Sequence, residues 1–231
     1  MTDDLAQLRA ALDAHGLKVR GVVAPAPGDL PPSHEAVSAQ TLVLVGHVGS
    51  SMWDHFAASP EFRDAMPDPL DRWSRRLGSE IAQRFGALAL FPFGGPPHHP
   101  FQRWAVRAGA VRPSPLGVLI DREFGLWHAY RFALALPWCS TETASPVVAD
   151  SPCVACAGEP CLRACPVGAF SAGDYLADVC VSHLSQEPAS ECMRHGCMAR
   201  LACPAGKAYR YRAEHARFHM ESFLRTQSAH R

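Results

Sequence analysis

Net charge is the first thing this sequence lacks: 22 Lys and Arg balance 22 Asp and Glu over 231 residues. A chain-wide balance offers no long-range field toward nucleic acid or an anionic membrane, so neither is expected as a partner. No apolar run is long enough to span a bilayer. The opening MTDDLAQLRA has neither the basic n-region nor the apolar h-region of a secretory signal. The expected location is therefore the cytoplasm, where thiols stay reduced. Gly-x-Gly-x-x-Gly, Gly-x-x-x-x-Gly-Lys-Ser/Thr and Gly-x-Ser-x-Gly are all missing, which leaves nucleotide loops and serine-hydrolase chemistry without support. There is no low-complexity segment, and no internal repeat beyond one pair of cysteine runs.

Cysteine is what the chain has instead. Eight of the nine lie between Cys153 and Cys203, in the runs CVACAGEPCLRACPVG and ECMRHGCMARLACPAG with Cys180 between them. Reduced, clustered cysteines are metal ligands before they are disulfides. Thiolates are the usual ligands of iron–sulfur clusters, four to each [4Fe–4S] unit. Cys161-x3-Cys165-Pro follows the bacterial ligand run, although four residues rather than two separate Cys156 from Cys161. In two-cluster modules the fourth cysteine of a run serves the other cluster. That rule groups Cys153, Cys156, Cys161 and Cys203, and separately Cys165, Cys180, Cys192 and Cys197. Zinc is the competing reading, but structural zinc favours paired Cys-x2-Cys knuckles, and only one is present. Cys139 stands outside the runs and reads as a small buried hydrophobe.

The first 137 residues alternate helix and strand. Leu5, Leu8 and Leu12 mark a helix over 3–15, with a strand over 18–24 after it. TLVLVG, without alternation, predicts a buried strand from Thr41, and Ser50 or Ser51 is expected to cap a helix over 52–58. Leu70, Trp73, Leu77, Ile81 and Phe85 outline a helix opened by Pro69; its Arg72, Arg75 and Arg76 read as a solvated positive face. FPFGGPPHHP must be a stiff loop. A helix over 101–108 follows, then strands over 116–120 and 128–136. The pattern predicts an α+β chain, with a layered α/β domain over 1–145 and a small ferredoxin-like domain over 146–231 that ends in a helix. A Ser, Thr and Pro-rich linker joins them.

The cysteine module resembles that of the epoxyqueuosine reductases and the cobalamin-dependent reductive dehalogenases: CLRACPVGAF, VCVSHLSQE and GC…ACP occur in that family's order. The resemblance implies two [4Fe–4S] clusters, with Cys180 as the isolated ligand between the runs. Residues 108–137 resemble a second family, the CblC-type (MMACHC-like) cobalamin-processing proteins, most closely from Ile120 to Arg131. PDPLDRWSRRLGSEI and TLVLVGHVGSSMWDHF follow the same order of elements. This resemblance implies a flavin-reductase-like, nitroreductase-related layered domain that holds cobalamin in a wide cleft. It also places Arg131 in the active-site cleft. Asp121 stands where the CblC proteins carry a histidine. Epoxyqueuosine reductases also carry a helical-repeat extension that binds tRNA; none follows here, so no tRNA substrate is expected.

Read from residues alone, a corrin or flavin needs an aromatic-lined cleft with few polar anchors. Phe93, Trp104, Phe124 and Trp127 are the expected walls, and Arg131 the expected anchor and catalytic residue. An Arg in an apolar run needs a partner, either a protein carboxylate or an anionic ligand. Among the histidines, His47, His98, His99 and His128 are the weighed cobalt ligands. The expected function is an iron–sulfur redox protein, an oxidoreductase in class, that accepts electrons from a low-potential redox partner protein. It passes them to bound cobalamin for reduction or upper-ligand removal. A ferredoxin-like carrier without cobalamin, and a flavin-dependent reductase, are the alternatives.

Overall fold

A computed structural model describes residues 2–30, 39–142, 150–171 and 174–229. The chain is α+β and divides into two compact units: residues 1–110 with 128–149, and residues 111–127 with 150–231. In chain order the first elements are α1 (Thr2–Asp13), β1 (Lys18–Val23), β2 (Thr41–Val48), α2 (Trp53–Ala57), α3 (Pro60–Arg63), α4 (Pro69–Arg84), β3 (Leu88–Leu90) and α5 (Phe101–Arg107). Then come β4 (Val111–Pro113), β5 (Leu119–Asp121), β6 (His128–Leu136), α6 (Pro160–Arg163), β7 (Phe170–Ser171) and β8 (Asp174–Tyr175). The chain closes with α7 (Ala177–Gln186), α8 (Glu191–His195), α9 (Met198–Ala202) and α10 (Ala213–Ala229). No helix among the described residues is long and apolar enough to cross a membrane.

The first unit is built on an antiparallel sheet in the order β1-β2-β6-β3. β2 is internal, and Thr41 to His47 are all buried, which is why its sequence is apolar without alternation. Gly46 sits at a register shift against β6; a Cβ there would lie 1.8 Å from the Ala129 carbonyl oxygen. Helix α4 packs on β6 and β3 through Leu70, Trp73, Leu77 and Ile81. Gly78 lets the Phe91 and Phe132 rings approach that helix.

Three details differ from the sequence reading. Ser51 does not cap α2; its hydroxyl donates to the Gly16 carbonyl at 2.6 Å instead. The arginines of α4 are not a free positive face: Arg72 clasps Asp64, Arg76 holds Glu61, and Arg75 lies over Phe91 and Phe93. Cys139 is exposed, donating to Gln40 Oε1 at 2.8 Å, because Pro137 turns the chain out of β6. The expected linker begins fastened to the first unit, with Thr41 donating to the Trp138 carbonyl; residues 143–149 of it lie outside the described residues.

Candidate metal centre

The second unit gathers all eight module cysteines. Short elements and turns position them. Cys153 and Cys156 lie on the turn before α6, and Cys161 within α6; Cys165 follows it. Cys180 is on α7, Cys192 on α8, and Cys197 and Cys203 are the two caps of α9. Gly158, Gly168, Gly196 and Gly206 have positive φ and turn the chain between these positions.

The thiols sort into two groups by neighbourhood. Burial pushes the Cys161 thiol up, and the adjacent Cys203 and Cys153 sulfurs add to the shift. Burial likewise raises Cys203, with Cys153 and Cys156 as its thiol neighbours. Elsewhere burial raises Cys180, with Cys165 and Cys192 beside it, and raises Cys192, again with Cys165 beside it. Cys197 is pushed up by burial to about 11, with Cys192 and Cys180 adjacent. Four thiolates massed in a poorly solvated place repel one another, and a cationic centre removes that cost.

The first group lines a small cavity of about 30 Å³ with Pro115, Ile120 and Pro204. Leu116, Ile120, Leu126 and Ala199 form an apolar core beside it, against which Cys153, Cys161, Cys165 and Cys197 pack. Residues 111–127 thus belong with the cysteines because they supply this wall. Two glycines hold that segment in place. A Cβ on Gly125 would lie 2.2 Å from the Ala205 oxygen, and one on Gly206 2.2 Å from the Phe124 oxygen. Backbone therefore crosses backbone beside Cys203-Pro204. The second group is backed by Leu184 and Met193, with Met198, Met220, Phe223 and Leu224 around them.

Polar donors address the sulfurs. The Ala169 amide donates to Cys165 Sγ at 3.3 Å. The Tyr175 hydroxyl is a donor to Cys180 and offsets part of its shift; burial first, then that bond, raises the tyrosine itself. The Arg200 and Ala199 amides at the start of α9 pull Cys197 back, though they do not close a cap hydrogen bond. The donor set suits thiolates bound to metal. A single zinc ion would draw four sulfurs to about 3.8 Å apart, given Zn–S bonds of about 2.3 Å. A cubane spaces its thiolates more widely, since each is bound to a different iron.

The residues expected to line a cofactor cleft fall in different surroundings. In the first unit Arg131 donates to Asp71 Oδ1 at 2.5 Å and to Ser74 Oγ at 3.0 Å, with Phe93 5.9 Å from its guanidinium carbon. The partner its apolar run demanded is a carboxylate of the protein. Trp104 is fully buried, its indole N–H on Asp29 Oδ1 at 2.9 Å. In the second unit Phe124 meets Tyr209 edge-on. Trp127 is buried, edge-on to Tyr211, with the Arg200 guanidinium 4.6 Å over its ring. Asp121 accepts from the Glu123 and Phe124 amides and so closes the turn that leads to Gly125. His98 is exposed, His99 stacks on Trp104, and His47 and His128 are buried.

Sequence reasoning missed Tyr175, Asp29 and the Gly125–Gly206 crossing. The two glycines could have been suspected as turn-formers, but their mutual approach joins positions 81 residues apart in the chain.

No family model matches the chain, and no curated protein matches it. Solved structures do. An epoxyqueuosine reductase bound to an epoxyqueuosine-modified tRNA-Tyr stem loop is similar at TM-score 0.49 and 16% identity, over 92% of this chain and 66% of that one. The C. elegans B12-trafficking protein CblC, a human MMACHC homologue, is similar at TM-score 0.50 and 12% identity, over 97% of both chains. A selenomethionine-labelled epoxyqueuosine reductase matches at TM-score 0.45 and 17% identity, over 93% and 60%. The chain therefore spans less than two thirds of these two reductases. The CblC likeness shows a shared fold. One expectation is corrected: nucleic acid cannot be left out as a partner class, since one of these similar proteins is bound to a tRNA stem loop. The exclusion leaned on a chain-wide sum of charge, and docking depends on local surface, where Lys207, Arg210, Arg212 and Arg217 are all exposed.

Proposed function

We propose that this is an iron–sulfur redox protein that acts on cobalamin. In this reading Cys153, Cys156, Cys161 and Cys203 hold one [4Fe–4S] cluster, and Cys165, Cys180, Cys192 and Cys197 hold the other. The reading rests on eight thiols gathered in the second unit, whose charged neighbours divide them into two groups of four. Bound there, the clusters would supply single electrons at low potential. The protein's own contribution is to hold the thiolates, point the Ala169 amide and Tyr175 hydroxyl at them, and keep water away with the apolar cores.

The second unit is then a ferredoxin-like module and the first a flavin-reductase-like layered domain. Cobalamin is the substrate: its cobalt is reduced, or its upper ligand reductively removed. The CblC fold likeness supports this choice. A low-potential partner protein supplies the electrons. The second reading is an electron carrier without cobalamin. Two observations favour it: Arg131 is paired by Asp71, and Trp104 is sealed in the core.

The deciding experiment is a cobalamin titration of the anaerobically purified full chain, after iron and sulfide analysis. About eight iron and eight sulfide per chain are expected for two clusters. A saturable shift of the corrin bands at micromolar protein, followed by cobalt reduction on adding a low-potential donor, is the expected result. Iron without a corrin shift leaves the carrier, and one zinc per four thiols overturns both readings.

A further inference from the structure

The second unit holds another group of ligating side chains, apart from the thiols. His215 and His219 are one helical turn apart on α10, so they share a face. Their Nε2 atoms are 3.0 Å apart. His215 is fully buried. Its ring stacks on Tyr211, with centroids 4.0 Å apart and planes 19° apart, and Tyr211 also leans on His219 at 5.7 Å. Arg200 fixes Tyr211 from its other side, its guanidinium 4.5 Å from the tyrosine ring and 4.6 Å from Trp127. Both imidazoles are therefore held by packing before any ligand arrives.

We infer that His215 and His219 form a binding site for a divalent late first-row metal ion. Imidazole nitrogens four residues apart on a helix are a recurrent chelating pair. With metal–nitrogen bonds of about 2.0–2.1 Å, a separation of 3.0 Å subtends about 94° at the metal. That is close to the 90° between neighbouring ligands of an octahedral or tetragonal ion, and well short of the tetrahedral angle. Ni²⁺, Cu²⁺ and Co²⁺ fit this pair better than Zn²⁺ does. Without an ion the same separation suits an N–H···N hydrogen bond, which the metal would replace. Water or a small donor molecule completes the coordination. The inference does not depend on what the thiols hold.

The test uses the untagged full chain under anaerobic conditions, with Ni²⁺ as probe. Calorimetry is expected to show one saturable Ni²⁺ site per chain. Nickel X-ray absorption is expected to show two imidazole nitrogens and no sulfur, which separates this site from the cysteines. His219→Gln, at the half-buried position, should weaken binding by roughly tenfold or more while leaving the circular dichroism spectrum unchanged. His215→Gln should do the same; if it fails to fold, His219→Gln decides. Absence of saturable binding, sulfur in the nickel shell, or unchanged affinity in His219→Gln would overturn the assignment.

Discussion

The two units bury very different interiors. Trp73, Trp104, Phe56, Phe132 and a row of leucines are the largest fully buried side chains, and all of them are in the first unit. The second unit has two small apolar centres, and its cysteines are part of both. One unit is held by hydrophobic burial around a sheet. The other has strands of two or three residues and, apart from α7 and α10, helices of four or five, so its apolar centres are small. In the proposed reading, the thiols packed against those two centres are metal ligands. In such a domain metal binding and folding are one equilibrium.

Removing the metal should therefore separate the units most sharply. Chelation of the loaded protein is expected to strip protection from backbone amides in 150–229 and in 111–127, while β2 and β6 keep theirs. A structural metal site contributes on the order of 10 kcal/mol, far more than any single contact here. Hydrogen exchange read by mass spectrometry checks this. Equal protection in both units after chelation would remove the contrast.

The backbone crossing of Gly125 and Gly206 offers a sharper cut within the second unit. Gly206→Ala drives a methyl group into the Phe124 carbonyl at a φ of +66°. Left-handed strain and overpacking together predict a loss of about 2–5 kcal/mol. Gly117→Ala shares the positive φ but meets nothing within 4 Å, so only about 1–2 kcal/mol is expected there. Denaturant titration of the loaded protein compares the two. Equal losses would mean that the crossing is not tight.

The same contrast explains what could be read from the sequence. Helix α4 and strand β2 were legible because one face, or both, had to be apolar, and burial imposes that pattern residue by residue. The cysteine runs were legible as runs because their spacing is local, and the structure brings all eight into one unit. The wall contributed by 111–127 was not legible, since nothing local in Leu116 or Ile120 says which core they join. Arg131 shows the same limit: its run demanded a partner, but Asp71 lies 60 positions away. Tyr175 and Asp29 are also long-range choices, visible only once the chain has folded.

Asp29 is the place to test the first unit electrostatically. Burial alone would raise its carboxyl, but Arg107, the Ala26 amide and the Trp104 indole outweigh burial and hold it below the usual range. Asp29→Asn removes the charge facing Arg107 and is expected to cost about 1–3 kcal/mol. The sign with pH follows from the lowered value. The contribution is complete above the ordinary carboxyl range, about pH 4, and is lost as pH falls toward the folded-state value. Glu61, held low first by its bond to Arg76, acts in the same direction. The first unit should thus lose stability below about pH 4 in the parent, and less steeply in Asp29→Asn. Identical acid profiles would remove Asp29 from the account.

The smallest expected effect sharpens the comparison inside the thiol module. The second group of cysteines has a side-chain donor, the Tyr175 hydroxyl on Cys180, and no such donor is seen on the first group among the described residues. A hydrogen bond to a thiolate favours the more negative, reduced form of a cluster, so it raises the potential. Tyr175→Phe keeps the ring that stacks on Phe170 and removes only the donor. A net hydrogen bond of about 1 kcal/mol corresponds to about 40 mV for one electron. Potentiometry followed by electron paramagnetic resonance should show one of two signals moving down by roughly that amount while the other stays. If both moved, the hydroxyl would not belong to one group; if neither moved, the bond would not survive in the loaded protein.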